Sequence, residues 1–271
     1  MIKHAILVEG HGDNADVLQK TIEILDDYDI DFIVHWDKKY RKPVLKSKKS
    51  EIIFVKPIEV YWGSFRQVVV EKKLFMEAYV RKYDYVHLIS SVDIPLMDVV
   101  YFKSFFEKEV YIGFSNDKDI EDRVKYYYLF LNLIKGNSSK FLVQKFNLIS
   151  VLFQKVIGIN RIRNKKIKLR KGTNWVSLKK SNLVELVNFD ISIFRNTFLA
   201  DELYVQTVLS RFENFDDEYI SSSRYIDWNR GKPYVFGHRD IAELKNVVNT
   251  KYAFARKIEN ADIVKEIFGL K

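Results

Sequence analysis

Residues 4–37 read HAILVEGHGDNADVLQKTIEILDDYDIDFIVHWD, and this stretch decides the fold. It begins with a short apolar run that ends in charge and glycine, continues with apolar residues at helical spacing, and closes on a second apolar run. The pattern predicts a strand, a helix and another strand. A helix between two strands lets them pair in parallel within one sheet.

The same alternation continues through the chain and predicts an α/β fold with a mostly parallel central sheet flanked by helices. Ligands in such sheets bind at the carboxyl ends of the strands, so the residues at those ends are the candidate site. The further strands are expected at 51–56, 85–91, 110–115 and 174–180, and the further helices at 64–84, 99–109, 181–189, 200–212, 239–249 and from Asn260.

Composition indicates one domain over residues 1–271. The chain is 47% hydrophobic, and its ten Gly and four Pro leave little material for a linker. It contains no Cys, which excludes a disulfide framework and thiolate metal sites. The first residues form a strand rather than a signal peptide, and no run of about 18 apolar residues is present, so a cytoplasmic location is expected.

The net charge of +9 is concentrated in one region. Between Arg123 and Val184 there are fifteen Lys and Arg residues and no Asp or Glu, which leaves 30 basic against 36 acidic residues elsewhere. The region contains a basic amphipathic insertion at about 140–172, with a helical first half and a polybasic second half. It suits an anionic membrane surface, or else it is a core-packed helix followed by a solvated loop. No nucleic-acid motif accompanies it, so nucleic acid is not an expected partner.

Seven blocks of the sequence, taken in order, resemble those of the core-2/I-branching β-1,6-N-acetylglucosaminyltransferase family, which includes the peptide xylosyltransferases and bacterial members. The resemblance implies a GT-A-like nucleotide-sugar-binding fold, an inverting reaction, and catalysis without a metal cofactor. The blocks are VHWDKK, YWGSFRQV, YDYVHLISSVDIPL, GTNWVSL, FLADELYVQTVL, RYIDW and FARKI.

The block FLADELYVQTVL contains the candidate catalytic carboxylate. An inverting transfer needs one base to take the proton of the acceptor hydroxyl. The resemblance to the family's Pro-Asp-Glu block assigns this role to Glu202, with Ala200 where the family has Pro. The alternative is that Asp201 and Glu202 only complement the dipole of the helix that begins there.

Fixed cations must stabilise the leaving diphosphate if no metal ion does so. The resemblance assigns this role to Lys257 in FARKI and to a second cation upstream, either Arg230 or Lys232. A metal-dependent alternative would use Asp117 and Asp119, which have the spacing of a metal-binding Asp-x-Asp pair.

The donor nucleoside is expected against the first strands. Asp37 resembles the family's His-x-Asp block and suggests uridine binding, although it could instead cap the following loop. His11, at the end of the first strand, is either ligand-binding or structural. Trp62 and Ser64 are expected on the donor side, with Ser64 also as the N-cap of the next helix. Asp93 is expected as a donor-sugar or structural carboxylate.

The acceptor side is expected to contain Trp175, Tyr225, Asp227 and Trp228, because aromatic rings stack on the apolar faces of sugars; core packing is the alternative. Together with these residues, the family resemblance implies a metal-independent transferase that moves a sugar, GlcNAc in the commonest members, from a UDP-sugar to a glycan or lipid-linked oligosaccharide. The expected setting is bacterial surface-polysaccharide synthesis at the inner face of the cell membrane. A catalytically inactive nucleotide- or membrane-binding module of the same fold is the other alternative.

Overall fold

The computed structural model describes residues 2–116, 120–133, 137–214 and 216–270, with the side chains of 137–140 excepted. Its strands pair into a central sheet and a smaller second sheet. In chain order they are β1 (His4–Gly10), β2 (Ile30–Trp36), β3 (Ile52–Phe54), β4 (Tyr85–Ser90), β5 (Ile94–Pro95), β6 (Val110–Tyr111), β7 (Ser177–Lys179), β8 (Arg224–Ile226) and β9 (Phe254–Arg256).

The central sheet has the order β3-β2-β1-β4-β7-β6. Strands β1 to β4 pair in parallel, whereas β7 is antiparallel to both of its neighbours. In the register, Gly10 lies opposite Trp36, and Glu9 lies opposite Ser90. The segments that follow β1, β2 and β4 therefore leave the sheet at one edge, as the sequence predicted for a mostly parallel sheet.

Helices cover both faces of this sheet. Successive β1 residues point to opposite sides, so Leu7 packs with α2, α6 and α7 residues, and Ile6 packs with α1 and α3 residues. Burial on both faces explains why β1 is apolar without alternation. The helices are α1 (Asp16–Leu25), α2 (Arg66–Val80), α3 (Val99–Phe105), α4 (Ile120–Lys125), α5 (Asn137–Val156), α6 (Leu183–Asn188), α7 (Asp201–Val208), α8 (Glu218–Ser221), α9 (Ile241–Asn246) and α10 (Ala261–Phe268).

The second sheet, of order β5-β9-β8, was not predicted from the sequence. Strand β5 begins directly after Asp93, and β9 pairs with it, which brings Arg256 to the edge where β4 ends. A fully buried Arg224 joins the two sheets. Its Nη2 donates to the carbonyl oxygens of Leu88, at 3.2 Å, and Val176, at 2.9 Å.

The prediction that Ser64 caps the next helix is wrong. Helix α2 begins at Arg66 with Phe65 in the cap position, and Phe65 already has helical backbone angles. The Gly63 N–H donates to Oε1 of Gln67 at 2.6 Å, so a glutamine side chain closes the start of the helix. The buried Ser64 Oγ has no hydrogen-bond partner within the described ranges.

The first half of the basic insertion is not a core-packed helix, and its second half is a loop that is only partly solvated. Most large apolar side chains of α5 are exposed. After the helix, Leu169 is buried in the main core, and Arg161 donates to the carbonyl oxygens of Ile193 and Arg195. Among the described helices, none combines the length and the apolar content that crossing a membrane requires.

Candidate active site

The candidate site lies where the carboxyl ends of β1, β4 and β9 meet the first turn of α7. Glu9 is the penultimate residue of β1, Asp93 follows β4, and Arg256 ends β9. Arg256 Nε lies 3.6 Å from Asp93 Oδ1. These residues lie at the edge of the sheet where the rule for this class of fold predicts a ligand site.

Glu202 lies in the first turn of α7, and its side chain is 31% exposed. Two cations contact its Oε2: Arg123 Nη1 at 2.8 Å and Lys171 Nζ at 3.6 Å. The Gly172 N–H also donates to the Glu202 carbonyl oxygen at 3.0 Å. Two cations from distant positions in the basic region thus meet at this residue, whose side chain stays partly exposed.

The neighbouring Asp201 is in a different environment. It is buried, and its Oδ2 accepts a hydrogen bond from Gln67 Nε2 of α2 at 2.9 Å. Burial, together with the Glu202 carboxylate, raises the pKa of Asp201 to about 7. Asp201 therefore connects α7 to α2, and Glu202 is left as the accessible carboxylate of the pair.

Two more buried carboxyls lie behind this pair. Burial raises the pKa of Glu9 to about 8, with the charges of Asp201 and Asp93 adding to the effect and Arg256 opposing it. Burial and the nearby Glu9 and Asp201 also raise the pKa of Glu71 well above its ordinary value, although Asn174 Nδ2 donates to its Oε1 at 2.9 Å. One carboxyl oxygen of each acid is buried without a partner among the described residues. Burial therefore favours the protonated form of both carboxyls.

Arg256 provides a cation at the centre of the strand ends. Its guanidinium carbon lies 4.2 Å from the centroid of the Trp175 ring, a cation–π contact that fixes the plane of the side chain. Its Nη1 is buried, and no hydrogen-bond partner for it exists in the part of the chain that the structure describes. A buried N–H donor without a partner is costly, so this atom marks a strained position in the polar network around Asp93.

Three predicted donor residues lie together near Arg256. Burial, followed by the positive charge of Lys257, lowers the pKa of His11, while the carboxylate of Asp37 raises it; Arg256 adds a smaller lowering effect. These interactions place His11, Asp37 and Lys257 in one neighbourhood. Lys257 Nζ also contacts Glu259 Oε1 at 2.7 Å, and its side chain is 30% exposed.

Asp37 and Asp93 both have structural contacts. Asp37 Oδ1 accepts hydrogen bonds from the Lys39 N–H at 3.0 Å and the Val60 N–H at 3.3 Å. These are the contacts expected if Asp37 caps the following loop. Asp93 accepts from the Ser90 N–H at 2.8 Å and the Ser90 hydroxyl at 2.7 Å, which closes the turn after β4. Contact of either carboxylate with a donor stays a prediction.

The Trp62 loop packs against the residues before α7. The Trp62 and Phe198 ring centroids lie 5.4 Å apart, and the Leu199 N–H donates to the Gly63 carbonyl oxygen at 3.0 Å. Gly63 has a φ of +69°, and a Cβ added there would lie 2.8 Å from the Phe198 ring. Only glycine satisfies both conditions, so this block fixes the entrance of α7.

Other predicted residues form a separate ionic cluster. Arg230 pairs with Asp227, with Asp240 at 3.2 Å and with Glu243 at 2.7 Å. The Tyr225 hydroxyl donates to the same Glu243 at 2.6 Å. Arg230 therefore binds Asp227 directly and is linked to Tyr225 through Glu243. Trp175 lies apart from this cluster, in contact with Arg256. Two predicted residues of this segment are exposed, Lys232 and Trp228.

The alternative metal ligands Asp117 and Asp119 lie outside the described residues. Within the described ranges, no three His, Asp or Glu side chains are grouped so that they could hold a metal ion.

A comparison with known protein families identifies the family of this chain. The family model described as "Core-2/I-Branching enzyme" matches residues 5–247, which includes every strand of the central sheet, α7 and the Arg230 cluster. The chain belongs to the core-2/I-branching enzyme family. As a member of this family it has a GT-A-like fold and is a glycosyltransferase, with a nucleotide-sugar donor and an acceptor. No curated protein matches it significantly.

Several residues of this candidate site were not predicted from the sequence. Arg123 and Lys171 were counted only as part of the basic region, and their contact with Glu202 has no local sequence signal. Glu71 did carry one, because it lies on the apolar stripe formed by Val68, Phe75 and Ala78 at helical spacing. An acid on such a stripe indicates a buried carboxyl.

Proposed function

We propose that this branching-enzyme family member is an inverting, metal-independent glycosyltransferase that transfers a sugar from a UDP-sugar to a glycan hydroxyl. The observation that supports this most directly is Glu202, a partly exposed carboxylate in the first turn of α7, at the edge where Arg256 and Lys257 leave β9. A base and fixed cations at one edge are the groups that such a transfer needs.

In the proposed reaction Glu202 accepts the proton of the acceptor hydroxyl as that oxygen bonds to the anomeric carbon. The bond from this carbon to the diphosphate oxygen breaks on the opposite face, which inverts the configuration. The electron pair and the negative charge remain on the UDP diphosphate, where Lys257 meets them. Arg123 and Lys171 hold the Glu202 carboxylate in position while the hydroxyl approaches.

The donor is proposed to bind across the ends of β1 and β2. Asp37 would accept hydrogen bonds from uridine, and His11, whose pKa responds to the charges of both Asp37 and Lys257, would lie between the nucleoside and the diphosphate. Trp62 is 43% exposed on the α7 side, which leaves a ring face for the donor. The proposed sugar is GlcNAc, and Lys232 is the more accessible candidate for the second cation, because Arg230 is already paired with three carboxylates.

The acceptor is proposed to be a glycan or a lipid-linked oligosaccharide of bacterial surface-polysaccharide synthesis. Trp228 is 50% exposed and follows β8, whose last residue pairs with Arg256, so we place its ring on the acceptor side of the site. Trp175 contributes the opposite aromatic surface through its contact with Arg256. A lipid-linked acceptor would be met at the inner face of the cell membrane, through a peripheral contact by region 140–172.

A screen of nucleotide-sugars by thermal unfolding tests this function without knowledge of the acceptor. A ligand present at about 100 times its Kd adds roughly 2.7 kcal/mol to the free energy of unfolding. We expect UDP-GlcNAc to raise the Tm equally with and without EDTA, and ADP-glucose to have no effect. A Tm that no UDP-sugar raises, or that rises only with a divalent cation, would contradict the proposal.

A further inference from the structure

Helix α5 has its polarity inverted relative to an ordinary surface helix. The residues that it buries against the protein include Asn147 and Gln154, which are 3% and 5% exposed. Its large apolar side chains point away from the protein, and each is more than half exposed. We call these residues the α5 apolar face: Phe141, Leu142, Phe146, Leu148, Ile149, Leu152, Phe153 and Val156.

Specific contacts on the inner side fix this orientation. Gln154 Oε1 accepts from the Tyr127 N–H at 2.7 Å, and Gln154 Nε2 donates to the Tyr127 carbonyl oxygen at 2.9 Å. Val143 is buried with Leu131 against Tyr128 and Phe198. Rotating the helix to bury its apolar face would break both sets of contacts, so the apolar face is a property of the folded chain.

The α5 apolar face is continuous. At 3.6 residues per turn its residues cover an arc of about 160° over a length of about 22 Å. Soluble proteins rarely expose apolar patches this large unless something covers them. A surface of this kind therefore indicates a partner whose own surface is apolar.

The positive charge around this face indicates the chemistry of the partner. Lys145 lies within the arc, with its Nζ 4.4 Å from the Phe141 ring centroid, and Arg163, Lys165 and Lys166 are exposed after the helix. No acidic residue occurs from 123 to 184. A second copy of the chain would bring two such basic regions together, which like-charge repulsion disfavours. An anionic bilayer offers both an apolar interior and the opposite charge.

We propose that the α5 apolar face lies in the interface of an anionic lipid bilayer, with α5 parallel to the membrane. This assigns insertion into the bilayer to the helix. In the polybasic segment after it, Lys168 and Arg170 are paired with Glu213, so its exposed cations contribute only attraction to the charged lipid headgroups. The inference deepens the proposed function, because Arg123 and Lys171, on either side of α5 in the chain, both contact Glu202. A bilayer bound by α5 would therefore lie next to the site that receives a lipid-linked acceptor.

A single-site fluorescent label tests the depth of α5 directly. The chain contains no Cys, so Ile149→Cys gives a unique position for an environment-sensitive dye, and Val100→Cys on α3 is the matched exposed control. Vesicles with equal parts of phosphatidylcholine and phosphatidylglycerol should shift the emission of the dye at position 149 to the blue and leave position 100 unchanged. Unchanged emission at position 149 would overturn the proposal.

Vesicle flotation of two triple variants measures membrane binding independently of catalysis. The substitutions Phe146→Ser, Ile149→Ser and Phe153→Ser remove exposed side chains, so folding should persist, and the vesicle-bound fraction should fall by at least about tenfold. The control replaces Tyr28, Val80 and Val100 with Ser. These side chains lie outside α5 and are at least as exposed, so the control variant should bind vesicles as the wild type does.

Binding of the α5 variant at the wild-type level would contradict the inference. So would a wild-type chain that ignores the vesicles and forms a dimer that the α5 substitutions dissociate, since the face would then be a protein interface. Neither readout uses sugar transfer, so failure of the membrane proposal and failure of the proposed function are distinguishable.

Discussion

At the scale of single residues, the adjacent acids Asp201 and Glu202 have different environments although they are neighbours in sequence. Asp201 is buried and bonded to Gln67, whereas Glu202 is partly exposed and held by Arg123 and Lys171. Through the family resemblance, the sequence predicts that Glu202, and not Asp201, is the base. It could not predict the cations on Glu202, because these come from distant positions in the chain.

Lys257 should act mainly in the chemical step. Its cationic Nζ meets charge that develops only as the diphosphate leaves, so Lys257→Met should lower kcat by about 100- to 1,000-fold and change the donor KM much less. Steady-state kinetics with the donor identified in the screen measure both constants. Lys265→Met, which removes a cation paired with Asp262 on α10, should leave both unchanged. A variant of Lys257 that changes only KM would contradict this role.

At the scale of elements, the long strands and helices were predicted correctly, because apolar periodicity marks them. The strands of the second sheet are two or three residues long and pair across much of the chain, so they have no periodic signal. The inverted burial of α5 was not predictable either. Its spacing matched an amphipathic helix, but only the tertiary contacts of Gln154 show which side faces the protein.

The turn before α2 should depend on glycine for two reasons, its positive φ and the space that Phe198 occupies. Gly63→Ala should therefore destabilise the protein by about 2–4 kcal/mol, since the cost of a left-handed backbone adds to a steric clash. Denaturant unfolding measures the loss. Gly158→Ala is the matched control, because Gly158 has a φ of +74° but no atom within 4 Å of the added Cβ, and it should cost only about 1–2 kcal/mol. Equal losses in the two variants would contradict the steric part of this explanation.

At the scale of the whole molecule, buried titratable groups set how stability depends on pH. Burial holds the pKa of Glu9 at about 8 and of Asp201 at about 7, so these carboxyls keep protons that the unfolded chain releases near pH 4. Stability from this source falls as pH rises toward 8. Burial lowers the pKa of His4 and His35 to about 4, so stability from these residues is lost as pH falls below about 6.5.

The two trends oppose each other up to about pH 7.5, but above pH 6.5 the histidine effect fades and the carboxyl effect is the larger. We therefore expect the free energy of unfolding to decrease by roughly 1–3 kcal/mol between pH 6.5 and pH 8. Urea unfolding across this range measures the slope. Glu9→Gln should reduce the slope, because an amide does not ionise, whereas Glu23→Gln on the surface should not. A stability that rises with pH in this window, or an unaltered slope in Glu9→Gln, would contradict the burial effect.

The assignment of the whole chain to the core-2/I-branching enzyme family rests on a match over residues 5–247, and the role of Glu202 as the base is the central claim about its chemistry. The most direct test compares UDP-sugar turnover by the wild type with that of Glu202→Gln, which keeps the shape of the side chain and removes its basicity. We expect kcat to fall by about 100- to 10,000-fold, with the donor-induced rise in Tm unchanged. Glu185→Gln, an exposed carboxylate of α6 paired with Arg211, should keep wild-type turnover. Turnover that persists undiminished in Glu202→Gln would contradict the claim.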